Sequence, residues 1–596
     1  MKPVRVFDLE IYKDYFLAMF RDTATGKIAT FELFQDGPAL DVAKIRNILS
    51  KSTIVGFNSN SFDMPILSLA LKGADNQTLK NACDAIIVGN LRSWQLENKF
   101  KFKTIQRLDH IDLIEVAPGI ASLKIYGGRL HCSTMQDLPI EPSASISPSD
   151  RELLKTYCEN DLRTTEDLYR KLLPQLELRA QMSEEYGQEL RSKSDAQIAE
   201  TVIKSQVEAL LGTAPERPEI SAGTRYLYVA PAFVGFSRPD LCKVLADIQT
   251  DHFVVHDSGK LNEPDWLKAL KLKIGGSTYK MGIGGLHSTE SCVAHTADDD
   301  TVLIDRDVAS YYPAIVLNCG LAPAHMGDAF SKVYRTIVER RLAAKHSGEK
   351  VTADALKITI NGTFGKLGSK WSVLYSPDLM LQTTVTGQLS LLMLIEQIED
   401  AGIPVVSANT DGVVIKCPKA KIDTLSDVVS AWEFVTGFDT EETRYTALYS
   451  RDVNNYVALK EGGGHKTKGV FATAGLSKNP TSTICVDAAL AYLKHRTPVA
   501  DTVSECADIT KFVSVRSVKG GAIDQSGDYL GKAVRWYYSS LVDGPLRYKI
   551  NNYTVPRTDG AQALMTLPFD MPCDVDREWY ITEANLILAG IGAVLP

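Results

Sequence analysis

VVSANTDGVVIK, Val405 to Lys416, reads as a β-hairpin that carries a carboxylate at its tip. Apolar runs flank Asp411-Gly412, a pair of residue types that tight turns with positive φ prefer. A carboxylate at such a tip, set beside a second one on a neighbouring strand, suits a pair of divalent cations. Asn409 complicates that reading. It stands where another acid would strengthen the site, and its amide oxygen is a hard ligand without charge.

The neighbouring acid comes from TVLIDRDVASYYPAIV, Thr301 to Val316, which reads as a strand breaking into a turn at Pro313. Asp305 and Asp307 are two apart and so share a face of that strand. Asp305 is either a replacement for the charge missing at Asn409 or a solvent-facing acid. Between strand and hairpin lie SKVYRTIVERRLAAK and TADALKITINGTFGKL, two helical segments joined at Gly348, the pattern of an α-hairpin. The chain's formal charge is −8, yet Ser331 to Lys370 holds nine Lys/Arg against three acids, a local net of +6. Distribution, more than total charge, decides whether a polyanion can bind.

A length of 596 residues exceeds one hydrophobic core and suggests about four domains. Ten cysteines are scattered singly, without CxxC spacing, which suits a reducing compartment and mostly buried, inert thiols. The N-terminal MKPVRVFDLEIYKDYF has neither signal nor transit character. No apolar run approaches the ~18 residues that span a bilayer. The expectation is a soluble, cytoplasmic protein.

The first 180 or so residues alternate strand-like and helical runs, as α/β domains do. In FDLE, Asp8 and Glu10 share a strand face; GFNSNSFDMPIL adds Asp63 after Asn58 and Phe62; YCENDLRTTEDLY sets Tyr157 and Asp161 four apart on one helical face. Taken singly, such acids are ordinarily solvated. Four gathered in one domain repel one another unless cations join them, which fits metal-dependent phosphodiester hydrolysis.

DxE, NxxxFD and YxxxD, in this order, resemble the proofreading 3′→5′ exonuclease domain of family-B DNA polymerases. The resemblance implies that Asp8, Glu10, Asp63 and Asp161 bind metals, that Tyr157 orients the attacking water, and that Asn58 and Phe62 hold a frayed 3′ end. The rest of the chain extends it. DVASYYP (Asp307 to Pro313) resembles DxxSLYP, implying a metal ligand at Asp307 and nucleotide contacts at Tyr311 and Tyr312, with Tyr312 under the incoming sugar. KITINGTFG resembles KxxxNSxYG, with Lys357, Asn361 and Gly365 on one helical face, Phe364 for the tyrosine and Gly362 for the serine. Arg341 and Lys345, four apart on the preceding helix, match the family's phosphate-binding pair. ANTDG falls where the family carries DTDS, making Asp411 the second catalytic acid. RDVNNYVAL resembles the KxY segment that holds the primer end; Tyr456 matches, Asn454 replaces the lysine, and Lys466 or Lys468 would supply the basic contact. YKMGIGGLHS is similar, more loosely, to the YxGG linker, with Gly284 and Gly285 structural. VRWYYS and LRYKINNY interleave basic and aromatic residues, which suits a DNA-gripping thumb and equally a core.

The implied fold is an α/β and α+β multidomain chain: an RNase H-like exonuclease domain followed by a right-hand polymerase of palm, fingers and thumb. The implied boundaries are exonuclease 1–180, linker or insertion 181–300, palm 301–330 and 373–467, fingers 331–372, and a largely helical and irregular thumb and C-terminal region 468–596. The implied activity is DNA-templated extension of a primer 3′-OH with dNTPs, plus proofreading, in a compact bacteriophage-type enzyme acting in the host cytoplasm. Two Mg²⁺ serve each active site, with Mn²⁺ an alternative. Primer-template DNA and dNTPs are the expected partners of a monomer that replication accessory proteins assist. Only some fifty residues separate Asp307 from Lys357 and Asn361 from Asp411, which leaves no room for the subdomains that protein-primed relatives insert, so no terminal-protein primer is expected. Two rivals remain: a polymerase-like DNA-binding protein whose nuclease alone works because of Asn409, and a metal nuclease joined to an unrelated partner-binding module.

Overall fold

The computed structural model describes residues 2–594, a mixed α/β chain that divides into two compact units. One gathers the chain up to Ser194 with Ala474–Ala488 and Pro498–Thr582; the other holds Asp195–Thr473, Ala489–Thr497 and the chain from Glu583.

The first unit is built on a five-stranded sheet in the order Ile28–Phe34, Tyr15–Asp22, Val4–Ile11, Thr53–Gly56, His110–Asp112. The first three strands are antiparallel and the last two run parallel to Val4–Ile11. Alternation along the central strand sends Phe7, Leu9 and Ile11 into one core. The opposite face carries Val6, which packs in a second core with Leu154, Cys158 and Leu162 of the helix Pro148–Lys171. Asp8 and Glu10 share that face by the period of two. The helix starts on a capping box of Ser147 and Asp150 with Pro148 in its first turn.

The C-terminal part departs from the helical, irregular expectation. Arg547–Tyr548, Ser514–Ile523, Tyr529–Tyr538 and Ala561–Ala563 form an antiparallel sheet in that order. VRWYYS lies in it and is core: Trp536, Tyr537 and Tyr538 are buried. Arg535 is wholly buried, donating to the carbonyls of Cys132 and Leu564 at 2.8 Å each. LRYKINNY instead exposes Ile550 and Tyr553.

In the second unit one long sheet runs His465–Thr467, Asn455–Lys460, Thr440–Asp452, Thr301–Val308, Gly412–Pro418, Val405–Asn409, His287–Ser288, Ser277–Lys280, Leu272–Ile274, with Ser291–Thr296 pairing separately on Thr440–Asp452. The helix Pro377–Asp400, buried almost all round, shares its core. After Asp307 the chain does not turn at Pro313. Ser310 takes a left-handed φ of 50° and the helix Tyr311–Asn318 begins, with Pro313 in its first turn, where a missing N–H costs nothing.

The helices Gly327–Ser347 and Lys350–Leu367 meet at Gly348, whose φ of 78° ends the first of them. Residues 181–279 do more than link. The helix Asp195–Leu211 packs on Lys350–Leu367, so closely that a Cβ at Gly362 would stand 2.6 Å from the Asp195 carbonyl and 2.7 Å from Ala199 Cβ. That approach explains why no serine stands at Gly362. Tyr228, Leu241, Phe253 and Val255 join the core of the sheet. Among the described residues no helix is long and apolar enough to cross a membrane. Five of the ten cysteines are buried, fewer than the sequence suggested, and Cys242, Cys292 and Cys573 are exposed.

Candidate functional site

Each unit carries a cluster of acids. In the first, the central strand brings Asp8 and Glu10 against Tyr157, Cys158 and Asp161 of the facing helix, while Asp63 opens the helix Asp63–Ala70. Glu10, Asp63 and Asp161 are 8%, 4% and 9% exposed, so their charges are held largely out of water. Burial, with mutual repulsion added, pushes Asp8 and Glu10 well above the usual carboxylate range, and Asp63 follows for the same reasons. Oδ1 of Asp63 is buried without a hydrogen-bond partner. Hard oxygens in surplus, one of them unsatisfied, fit a magnesium- or manganese-type dication.

One cation stands among them that the sequence patterns did not flag. Lys124, on the short helix Leu123–Arg129, donates to Asp161 at 3.2 and 3.3 Å and to the Tyr157 hydroxyl, with its ammonium 4.3 Å from the centroid of that ring. Its attraction works against the burial that raises Asp161. Asp112 was missed too. Only 1% exposed, it accepts from the backbone N–H of Asn58 and Asn60 at 2.8 Å each, pinning a loop in which Asn58 holds a left-handed φ of 58°. Asn58 is left exposed at the loop's surface, and Phe62 is half-buried against the first core.

In the second unit a cavity of about 270 Å³ is lined by Asp305, Asp307, Asn409, Asp411, Tyr456, Lys466 and Lys468, among others. Asp307 pairs in register with Gly412, and the Val308 N–H donates to the Asp411 carbonyl at 2.7 Å, which sets the two acids across the pocket. The positive φ of the hairpin belongs to Thr410, at 56°, not to Gly412. Gly412 answers a different demand: a Cβ there would lie 2.2 Å from Asp307 Oδ1. Gly285 is similarly required, since a Cβ would meet Thr410, whereas Gly284 faces open space.

Asp305 is no solvent-facing acid. It is 5% exposed, accepts from the Tyr445 hydroxyl, and shares Lys466 with Asp307 at 3.2 and 3.3 Å. Burial works against the Lys466 ammonium, and the two carboxylates outweigh it, raising its pKa. Burial raises Asp307, with Asp305 adding to it and Lys466 opposing. Lys468 opposes the same effect at Asp411. Asn409 is occupied: its Nδ2 donates to the Val453 carbonyl at 2.8 Å and to Asn454 Oδ1 at 3.3 Å, and its Oδ1 accepts from Thr410. Two carboxylates in an open pocket suit a hard dication, with Lys466 already on one of them.

Outside the residues that line this pocket, Tyr312 stacks on Phe364 at 4.3 Å between centroids, and the Tyr311 hydroxyl donates to the Gly387 carbonyl at 2.5 Å. Arg341 donates to Ser310 Oγ at 2.8 Å; Lys345 pairs with Glu441, which lies opposite Asp307 in register. Lys357, Asn361 and Gly365 lie exposed on the helix Lys350–Leu367.

No family model matches the chain. Among curated proteins, DNA polymerase 1 of Aeropyrum pernix is 29% identical over 124 residues, a stretch that covers 20% of this chain and only 13% of that protein. Among solved structures, the family B DNA polymerase from the hyperthermophilic archaeon Pyrobaculum calidifontis aligns with 100% of this chain and 78% of that one, at 16% identity and a TM-score of 0.41.

Proposed function

We propose that the chain is a family-B-type DNA polymerase of compact, bacteriophage kind, which extends a primer 3′-OH in its second unit and removes 3′-terminal nucleotides in its first. One observation carries this reading: residues from DxE, NxxxFD and YxxxD gather in an acid cluster of the first unit, and residues from DVASYYP, ANTDG and RDVNNYVAL line the acid pocket of the second. The named relative, a DNA polymerase, lends support over its short match. The domain boundaries read from the sequence are part of the proposal, with residues 195–211 added to the fingers because they pack on that hairpin.

Asp307 and Asp411 would hold two magnesium ions, which when bound neutralise charge on the triphosphate and on the attacking oxygen. Every other role belongs to the chain. Arg341, Lys345 and Lys357 bind the triphosphate and neutralise its charge. The Tyr312 ring, braced by Phe364, fills the space a ribose 2′-OH would need. Tyr456 and Lys468 hold the primer end, and Lys466 fixes the Asp305–Asp307 pair. Asp8, Glu10, Asp63 and Asp161 serve the same metal chemistry in the first unit, Tyr157 and Lys124 orient water, and Asn58 with Phe62 hold the unpaired end. Synthesis starts on an ordinary primer 3′-OH.

A 5′-labelled primer on a longer template tests the reading. With Mg²⁺ and dNTPs the primer lengthens; with Mg²⁺ alone it shortens. A folded protein that shortens the primer but never lengthens it returns the chain to a nuclease with a silent polymerase-like half.

A further inference from the structure

We propose that Asp8, Glu10 and Cys158 form a binding site for a thiophilic divalent ion of the zinc or cadmium kind, which displaces magnesium from the first centre and arrests degradation. The arrest rests on the nuclease reading above; the binding does not.

One ligand atom from each of the three residues lies within 4.8 Å of the others. The Cys158 thiol, wholly buried, sits 3.8 Å from Asp8 Oδ2. Metal–sulfur and metal–oxygen bonds of ~2.3 and ~2.0 Å place tetrahedral ligand atoms roughly 3.3–3.8 Å apart, so one edge of such a site is already in place. A second observation points to a cation site. Asp63, 4% exposed, keeps Oδ1 without a partner; its charge acts on Glu10, and the charge of Asp8 acts on it. Magnesium takes hard oxygens and leaves a thiol alone, whereas a thiolate added to two carboxylates favours zinc or cadmium. On binding, the sulfur lone pair forms the metal bond, the thiol proton leaves to solvent, and no oxidation state changes.

Cadmium is the probe, because cadmium–thiolate bonds give an ultraviolet charge-transfer band that carboxylates cannot. The metal-free full chain is titrated with Cd²⁺ alongside Cys158→Ala and Cys158→Ser, each checked for native circular dichroism. The expected result is a band in the wild type that both variants lack. Cadmium inhibition of primer shortening in Mg²⁺ should also need about 10- to 100-fold more cadmium in the variants. If burial prevents both variants from folding, Glu10→Gln, which leaves the thiol intact, should weaken the band instead. A band of equal strength in wild type and Cys158→Ala overturns the inference, as does an unshifted inhibition curve. A wild type that shows the Cys158-dependent band but shortens no DNA sinks the nuclease reading and leaves the metal site standing. One that shortens DNA without the band does the reverse.

Discussion

The two acid clusters differ in how their charge is balanced. In the first unit four acids, three of them under 10% exposed, face one lysine, Lys124. In the second, Asp305, Asp307 and Asp411 share a pocket with Lys466 and Lys468, and the Asp307 side chain is 49% exposed. Buried like charges that lack counterions must protonate or recruit cations from solution. The first cluster's charge is therefore left to protonation or to cations from solution, while the second carries much of its own compensation, and a metal ion bound there would have to compete with an ammonium.

The largest effect on the second cluster is expected from Gly412→Ala. The backbone there needs no positive φ, so any loss must come from the methyl meeting Asp307 Oδ1 at 2.2 Å. Primer extension should fall about 10²- to 10³-fold, the range for displacing one fixed electrostatic group, with 3′ shortening unchanged. Near-normal extension would show that Asp307 has freedom the packing denies it.

Tyr312→Ala asks whether selection belongs to the second cluster alone. Relative use of ribonucleotides should rise about 10²-fold while degradation keeps its rate. Unchanged sugar discrimination in single-nucleotide incorporation would move the gate to another residue.

Lys466→Ala makes the second pocket resemble the first by removing the cation shared by Asp305 and Asp307. The Mg²⁺ concentration for half-maximal extension should drop about tenfold. A rise would mean that Lys466 supports metal binding instead of opposing it.

The smallest effect on activity is expected from Asn409→Asp. The amide is a tie to the Val453 carbonyl, and a carboxylate there faces an oxygen. Thermal denaturation should show a loss of about 1–3 kcal/mol with no fall in the Mg²⁺ requirement. A lower requirement would restore position 409 as a metal ligand.

Much of this contrast was legible in the chain, and the part that was not has a physical reason. Asp8 with Glu10, and Tyr157 with Asp161, declare themselves because their spacing matches the period of the element that carries them. The helical pair around Gly348 is legible for the same reason. Lys124, Asp112 and the grip of Lys466 are contacts between elements far apart in sequence, and no local pattern encodes them. Gly412 and Gly362 looked like a turn former and a substitution; their need is set by an atom across the strand or helix they face. Pro313 misled because a turn and a helix's first turn use the same residue. In the C-terminal sheet, VRWYYS has the composition of a DNA contact and the burial of a core, a distinction that composition alone cannot draw.

Two separable centres in one chain should act on a primer in opposite directions. The direct measurement is a time course of one labelled primer-template with wild type, Asp307→Ala, and the double change Asp8→Ala, Glu10→Ala, each shown to be folded. The wild type should lengthen the primer with dNTPs and shorten it without. Asp307→Ala should only shorten it, and the double variant should only lengthen it. Loss of both activities from either set of changes would mean that the chain does not hold two separable centres.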